Sequence, residues 1–295
     1  MEPFGVKATV LAILVAVLLS YRAIRKKSLT KTGAATAFVV GFLSVVVGAR
    51  GFNLLVFYQL GTTATKFKKD IKAKMDGTIA TTGSQARGPS QVLACSVIAV
   101  GLGVVHGIYC GSERPIQFTD ESFLASSLTC AIIAHHATCL ADTLASELGI
   151  LSNVQPVLVT QPWRRVPSGT NGGVTALGFF WSAVGGLIMG LSTILLDSLS
   201  GMAPLYVVPM IAFSTICGLV GSFLDSLLGA TVQQTYYDPD SKLVFQQEDK
   251  KPSSATLLVG RDLLTNEMVN LVSTALTTAI GGLILGPLFF PGKLL

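Results

Sequence analysis

Asp142 and Glu147, in Ala141-Asp-Thr-Leu-Ala-Ser-Glu147, stand where a long apolar run gives out, and Gly169-Thr170-Asn171-Gly172-Gly173 stands where the next begins. Carboxylates are hard oxygen ligands, and two of them near one point suit a Mg²⁺ ion that keeps part of its water and bridges phosphates. Five positions along a helix turn through about 140°, so the pair converges only if the helix ends or unwinds between them, which Gly149 just beyond permits. Glycines ahead of a helix let backbone N–H groups approach a phosphate, and the helix N-terminus favours negative charge. No Gly-Lys-Ser/Thr follows, so this is not a Walker A loop. A tight turn with a helix cap explains the same glycines.

Other polar residues stand in apolar surroundings. Asp225 lies inside Gly221-Ser-Phe-Leu-Asp-Ser-Leu-Leu-Gly229, with Ser222, Ser226 and Thr231 within reach. An ionisable residue at membrane depth usually marks a site. Asp262, Asn266 and Asn270 follow each other at i, i+4 and i+8, which predicts a polar stripe on the last helix, for binding substrate or for holding neighbouring helices. Lys66 is the basic residue closest to the end of an apolar run and is expected to reach a phosphate; Lys68, Lys69, Lys72, Lys74 and Arg87 read as a membrane flank. Arg164 and Arg165 can meet phosphate or lipid head groups. His135 and His136 lack the i, i+4 spacing of a metal pair.

The elements that must position these residues are membrane helices. Half of the 295 residues are apolar, 13% are charged and the mean hydropathy is +0.62, which describes a polytopic membrane protein, not a soluble globule. The fold class expected is all-α, one transmembrane domain over residues 1–295. Eight spans are predicted, at about 4–21, 32–48, 51–67, 91–109, 122–140, 173–196, 204–229 and 266–290, the second and third being short for the ~20 residues a bilayer asks for. The first run has no basic region before it and reads as a retained helix. Of the 21 Lys and Arg, all but Lys7, Arg50, Arg114 and Lys293 fall in the odd-numbered connections, which puts those loops in the cytoplasm and both termini outside. The connections on the other side are short and read as unremarkable. The five cysteines are an odd number, and those in apolar runs read as small core residues.

Three echoes recur in order: Asp142-Thr-Leu with Asp225-Ser-Leu, Thr170-Asn-Gly-Gly-Val-Thr175 with Thr265-Asn-Glu-Met-Val-Asn270, and Gly185-Gly-Leu-Ile-Met-Gly190 with Gly281-Gly-Leu-Ile-Leu-Gly286. They predict a parallel repeat of a helix-loop-helix unit, with a site where the copies meet. Gly186-x-x-x-Gly190 and Gly282-x-x-x-Gly286 read as close-packing positions.

At these residues the chain resembles the integral-membrane family of transmembrane protein 19 and plant phytyl-phosphate kinase. The matching stretches are Ala141–Glu147, Arg165–Thr175, Gly221–Gln233 and Asn266-x-x-x-Asn270, joined by Gly61-Thr-Thr-Ala-Thr-Lys66. The resemblance implies phosphoryl transfer from a nucleoside triphosphate, CTP by expectation, to phytyl or another isoprenyl monophosphate. On this reading Mg²⁺ is held by Asp142, Glu147 and Asp225. Lys66, Arg165 and the Gly169–Gly173 backbone neutralise charge, Asn171, Asn266 and Asn270 orient oxygens, and Thr170 and Ser226 also bind substrate.

Two other classes use similar parts. A CTP-dependent cytidylyltransferase would release pyrophosphate, and a transporter or lipid carrier would carry polar residues at the bilayer centre with a path to both faces. The expected location is a multi-pass membrane: the endoplasmic reticulum or plastid envelope in a eukaryote, the plasma membrane otherwise. No nucleic-acid partner is indicated, and the oligomeric state is left open.

Overall fold

The computed structural model describes residues 1–75, 86–202, 206–246 and 251–292. Lys250, Lys293 and the first two residues of the predicted span 204–229 lie outside them. Each predicted span has a helical counterpart. Helix α1 is Val6–Arg25, α2 Lys31–Val46, α3 Asn53–Lys66 and α4 the single turn Lys69–Lys72. Helices α5 (Pro89–Ala94) and α6 (Val97–Tyr109) share one predicted span, α7 is Phe123–Gly149, α8 Ala176–Leu199, α9 Val207–Val232 and α10 Asn266–Ile280. A π-turn at Gly281–Leu285 carries α10 into a last helical turn, Gly286–Phe289.

By length and composition, five helices among the described residues are fit to cross a membrane: α1, α7, α8, α9 and α10 with its extension. Helices α2 and α6 are shorter and apolar, and α3 is 14 residues long.

Helix α7 is the axis. In its apolar window 83% of residues are buried, against 39% or fewer in the other four. Ile133, Ala137, Leu140 and Leu144 of α7 form the main core with Met189 of α8, Phe213 and Cys217 of α9, and Phe290. Small residues let the neighbours come close. A Cβ at Gly186 would lie 2.5 Å from the Ser214 carbonyl, and one at Gly190 only 2.2 Å from Ser214 Oγ, so α8 and α9 touch backbone to backbone. At the periphery α1 lays Ala8, Ala12, Ala16 and Ala23 inward and packs on α2.

Two connections hold short strands where the sequence predicts only helices and loops. The connection between α7 and α8 folds into β1 (Val157–Leu158), β2 (Gln161–Arg165) and β3 (Gly173–Val174), and that between α9 and α10 into β4 (Thr235–Asp238), β5 (Leu243–Phe245) and β6 (Thr256–Val259). The strand orders are β2-β1-β3 and β5-β4-β6, all antiparallel, so in both sheets the first strand is central. Asp238 pins the second sheet: its carboxylate accepts hydrogen bonds from Ser241 N and Oγ and, at 2.7 Å, from Ser254 Oγ.

Three boundaries change the reading of the site. The span 122–140 continues as helix to Gly149, so Asp142 and Glu147 lie within α7 rather than beyond its end. The span 91–109 breaks at Cys95–Ser96, leaving the Cys95 carbonyl free to accept His135 Nε2 at 3.1 Å and Cys139 Sγ at 3.5 Å. Helix α8 begins at Ala176 with Thr175 as its cap, accepting from Gly178 N, so Gly169–Gly173 do not form its N-terminus.

Candidate functional site: two carboxylates beside an apolar cavity

Asp142 and Asp225 come together. Ser222 and Asp225 stand at i and i+3 on one face of α9, and Ser222 Oγ donates to Asp142 Oδ1 at 3.5 Å while accepting from Ser182 of α8 at 3.0 Å. Ser273 of α10 donates to Asp225 Oδ2 at 3.0 Å. The two carboxylates lie within electrostatic range of each other. Each keeps its second oxygen without a protein hydrogen-bond partner among the described residues. Helices α7, α8, α9 and α10 thus meet around one acidic pair, near the end of the bundle that carries both sheets.

Glu147 does not join them. Helix α7 is continuous, so its side chain points well away from that of Asp142 and meets Lys72 Nζ at 2.6 Å. Lys72 also caps the end of α3 by donating to the carbonyls of Ala64 (3.0 Å) and Thr65 (2.8 Å). Lys72 is the buried lysine of the third connection, whereas Lys66 is exposed. No local pattern distinguishes them, because the partner of Lys72 lies 75 residues away.

The glycine-rich turn is committed elsewhere. Gly172 has φ +73°, and a Cβ there would lie 2.4 Å from Ala230 Cβ at the end of α9. Asn171 bonds through its backbone N–H to Thr235 Oγ1 (3.2 Å) and through Nδ2 to the Gln234 carbonyl (3.1 Å), and the N–H groups of Thr170 and Gly173 bond within the turn. The turn docks the first sheet on the second. Arg165 is exposed on β2, and Arg164 donates to the Leu258 carbonyl at 3.1 Å. The sequence echo of Thr170-Asn171 with Thr265-Asn266 does not place equivalent residues: Asn171 is in the turn, and Asn266 is the first residue of α10, capped by Thr265. Asp262 precedes that helix, so the stripe starts at Asn266, which is exposed, and continues through half-buried Asn270 to Ser273. Ser226 is half-buried beside Asp225, and Thr231 bonds to the carbonyls of its own helix.

Thr143, next to Asp142 on α7, and Asn270, one turn before Ser273 on α10, line a cavity of about 110 Å³ whose other polar wall includes Arg87 and Gln91. Arg87 Nη2 donates to Thr65 Oγ1 at 2.8 Å. The rest of the cavity wall is mostly apolar, with Val40, Leu54, Phe57 and Val92, and also carries Tyr58, Cys95 and Ser96. Arg87 read in the sequence as one of several flanking cations, and only the fold sets it on this cavity.

The opposite end of the bundle is not unremarkable either. Arg50 is buried and meets Asp197 through two hydrogen bonds of 2.7 and 2.9 Å, and Glu113 accepts the N–H groups of Ala49 and Arg50 at 2.9 Å each. Arg50, His106, Glu113 and His136 line a second cavity, of about 40 Å³. Arg50 Nη1, His106 Nε2 and His136 Nδ1 are buried there without a hydrogen-bond partner.

The profile of the integral membrane protein DUF92 family matches residues 14–278. The chain belongs to this family. Its membership agrees with the resemblance to the family of transmembrane protein 19 carried by the motifs around Asp142 and Asp225. The chain is 34% identical to Protein PGR of Arabidopsis thaliana over 91% of its own length and 93% of that protein's. It is 29% identical to an uncharacterized membrane protein of Synechocystis sp. (86% and 82% covered) and 25% identical to one of Methanocaldococcus jannaschii (92% of each). No solved structure matches the DUF92 chain.

Proposed function

We propose that this DUF92 protein is a membrane-embedded isoprenyl-phosphate kinase. It transfers the terminal phosphoryl group of a nucleoside triphosphate, CTP by family resemblance, to phytyl or another isoprenyl monophosphate. The observation that carries the reading is that Thr143, next to Asp142, and Asn270, one turn before the Ser273 that bonds Asp225, both line the apolar cavity. One wall offers a hydrocarbon chain an apolar lining, and the other offers its phosphate Arg87, Gln91 and Asn270, the last on the helix whose Ser273 holds Asp225.

The donor set fits Mg²⁺. Asp142 and Asp225 are hard oxygen donors, each with an uncommitted oxygen, and Mg²⁺ takes one or two carboxylates and completes its shell with water and phosphate oxygens. Among the described residues no group of three or more His, Cys, Asp and Glu side chains gathers as a metal site, so Glu147 is assigned to the Lys72 pair and not to the metal. When bound, the ion would neutralise charge on the donor's phosphates. Ser222 and Ser273 hold the two carboxylates in register. Arg87 and Asn270 orient the acceptor monophosphate. An oxygen of that monophosphate forms a bond to the terminal phosphorus as the bridging bond to the nucleoside diphosphate breaks. The acceptor is already ionised, so no strong general base is needed and catalysis is positioning and electrostatics.

The same reading takes all eight helical segments as spanning, with the sheets in the cytoplasm and both termini on the other side, as the basic residues suggest. It takes the two helix-sheet-helix units as copies, supported by their common strand order and by the threonine caps Thr175 and Thr265.

Purified protein in detergent with CTP, Mg²⁺ and phytyl monophosphate should yield phytyl diphosphate and CDP in equal amounts. Pyrophosphate release would replace the kinase with a cytidylyltransferase. A second reading, transport, is favoured by the polar cavity at the opposite end, since two cavities flank the His135–His136 layer of α7. Uptake of prenyl phosphate or nucleotide into proteoliposomes, with no turnover, would decide for it.

A further inference from the structure

We propose that Gly41 sets the length of the hydrocarbon chain the protein accepts. The inference rests on the isoprenyl-phosphate reading and names a specificity residue within it. Gly41 lies on α2, lines the apolar cavity and is buried, yet a Cβ built on it meets no atom within 4 Å. This separates it from Gly33 on the same helix, where a Cβ would strike the Arg87 carbonyl at 2.6 Å, and from Gly186 and Gly190, which close helix contacts demand. Gly41 is therefore not required by packing. Its missing side chain leaves open volume inside the protein, and any side chain added there fills the cavity.

Its depth fits the role. Arg87 lines the cavity, and its backbone pairs with Ser28 and Thr30 just ahead of α2. Gly41 stands ten residues into that helix, about 15 Å from its start at 1.5 Å per residue. Leu54 lines the cavity from α3, twelve residues before that helix ends at Lys66, about 18 Å along it. The two helices run in opposite directions, so Gly41 and Leu54 mark about the same level, roughly half-way through a 30 Å hydrocarbon core. A chain anchored by its phosphate at Arg87 and Asn270 meets them with its far end. The occupant is thus a single-chain isoprenoid with an anionic head.

The test uses full-length protein and geranyl, farnesyl and geranylgeranyl monophosphates. Gly41→Leu and Gly41→Phe should lower kcat/KM for the geranylgeranyl substrate relative to the geranyl one by about tenfold or more, the scale on which apolar pockets discriminate by size. Leu54→Ala should shift the ratio toward the longer chain. Unchanged ratios in all three variants overturn the proposal. Displacement of a fluorescent farnesyl monophosphate by the same series reads length preference without turnover. A length shift in binding alongside an inactive wild type would keep Gly41 as the determinant and discard the kinase. A wild type that turns over, with the same length preference in every variant, would do the reverse. A Gly41→Phe protein that fails to fold leaves Gly41→Leu and Leu54→Ala to decide.

Discussion

Lys72 and Glu147 form a 2.6 Å ion pair across 75 residues of sequence, with the lysine side chain 5% and the glutamate 24% exposed. The pair joins the end of α3 to the last turn of α7, and through the carbonyls of Ala64 and Thr65 it also caps α3. It makes Glu147 a positioning residue for the wall that holds Thr65 and Arg87.

Lys72→Met leaves the Glu147 carboxylate and two carbonyls without their donor. Removing one member of a fully buried pair costs about 3–5 kcal/mol, and the partial exposure of Glu147 reduces this to ~2 kcal/mol. Lys66→Met, at an exposed position, should stay within about 0.5 kcal/mol. Thermal unfolding in detergent compares the two, and equal losses would contradict the assignment of Lys72 over Lys66.

Ser273→Ala removes the hydroxyl that orients Asp225. Loss of such a supporting bond costs about 10–100-fold in metal affinity, so the Mg²⁺ concentration for half-maximal activity should rise by that factor while KM for the prenyl phosphate changes little. A Mg²⁺ titration of wild type and variant reads it.

Gly172→Ala meets both a left-handed φ of +73° and the Ala230 side chain, whereas Gly111→Ala meets a φ of +74° in open space. A residue forced into that region costs about 1–3 kcal/mol. Gly111→Ala should show this strain alone, and Gly172→Ala should lose more, by chemical or thermal denaturation, because the first sheet must also move off α9.

Arg50→Met should destabilise by about 2–4 kcal/mol, since it strands the Asp197 carboxylate, which is only 14% exposed. Protein that remains folded should keep the wild-type KM for both substrates, because the pair sits at the opposite end from Asp142. A selective change in KM would instead favour the transport reading.

The sequence made part of this legible. Asp142 and Asp225 stand out because a carboxylate in an apolar helix has few reasons to be there, and they do meet. The helices follow from apolar runs, down to the close-packing glycines Gly186 and Gly190. What failed depended on distant partners or on short elements. Glu147 looked equivalent to Asp142 until helix α7 ran unbroken past both, turning one toward Ser222 and the other toward Lys72. Gly172 looked like part of a phosphate cradle because its true constraint, Ala230, lies on another helix. The sheets were missed because their strands run two to five residues, too short for alternation to register, although Thr235-Tyr-Tyr-Asp238 carries the β-branched and aromatic residues that favour a strand.

In the proposed reaction Asp142 and Asp225 act together on a prenyl phosphate. The most direct measurement is mass-resolved product analysis of wild type, Asp142→Asn and Asp225→Asn, matched for folding by size-exclusion profile, with CTP, Mg²⁺ and geranylgeranyl monophosphate. The expected result is prenyl diphosphate and CDP from wild type and a loss of at least about 100-fold in each variant, the scale of removing one preorganised electrostatic group. Full activity in either variant, or no prenyl diphosphate from wild type with any nucleoside triphosphate, would contradict it.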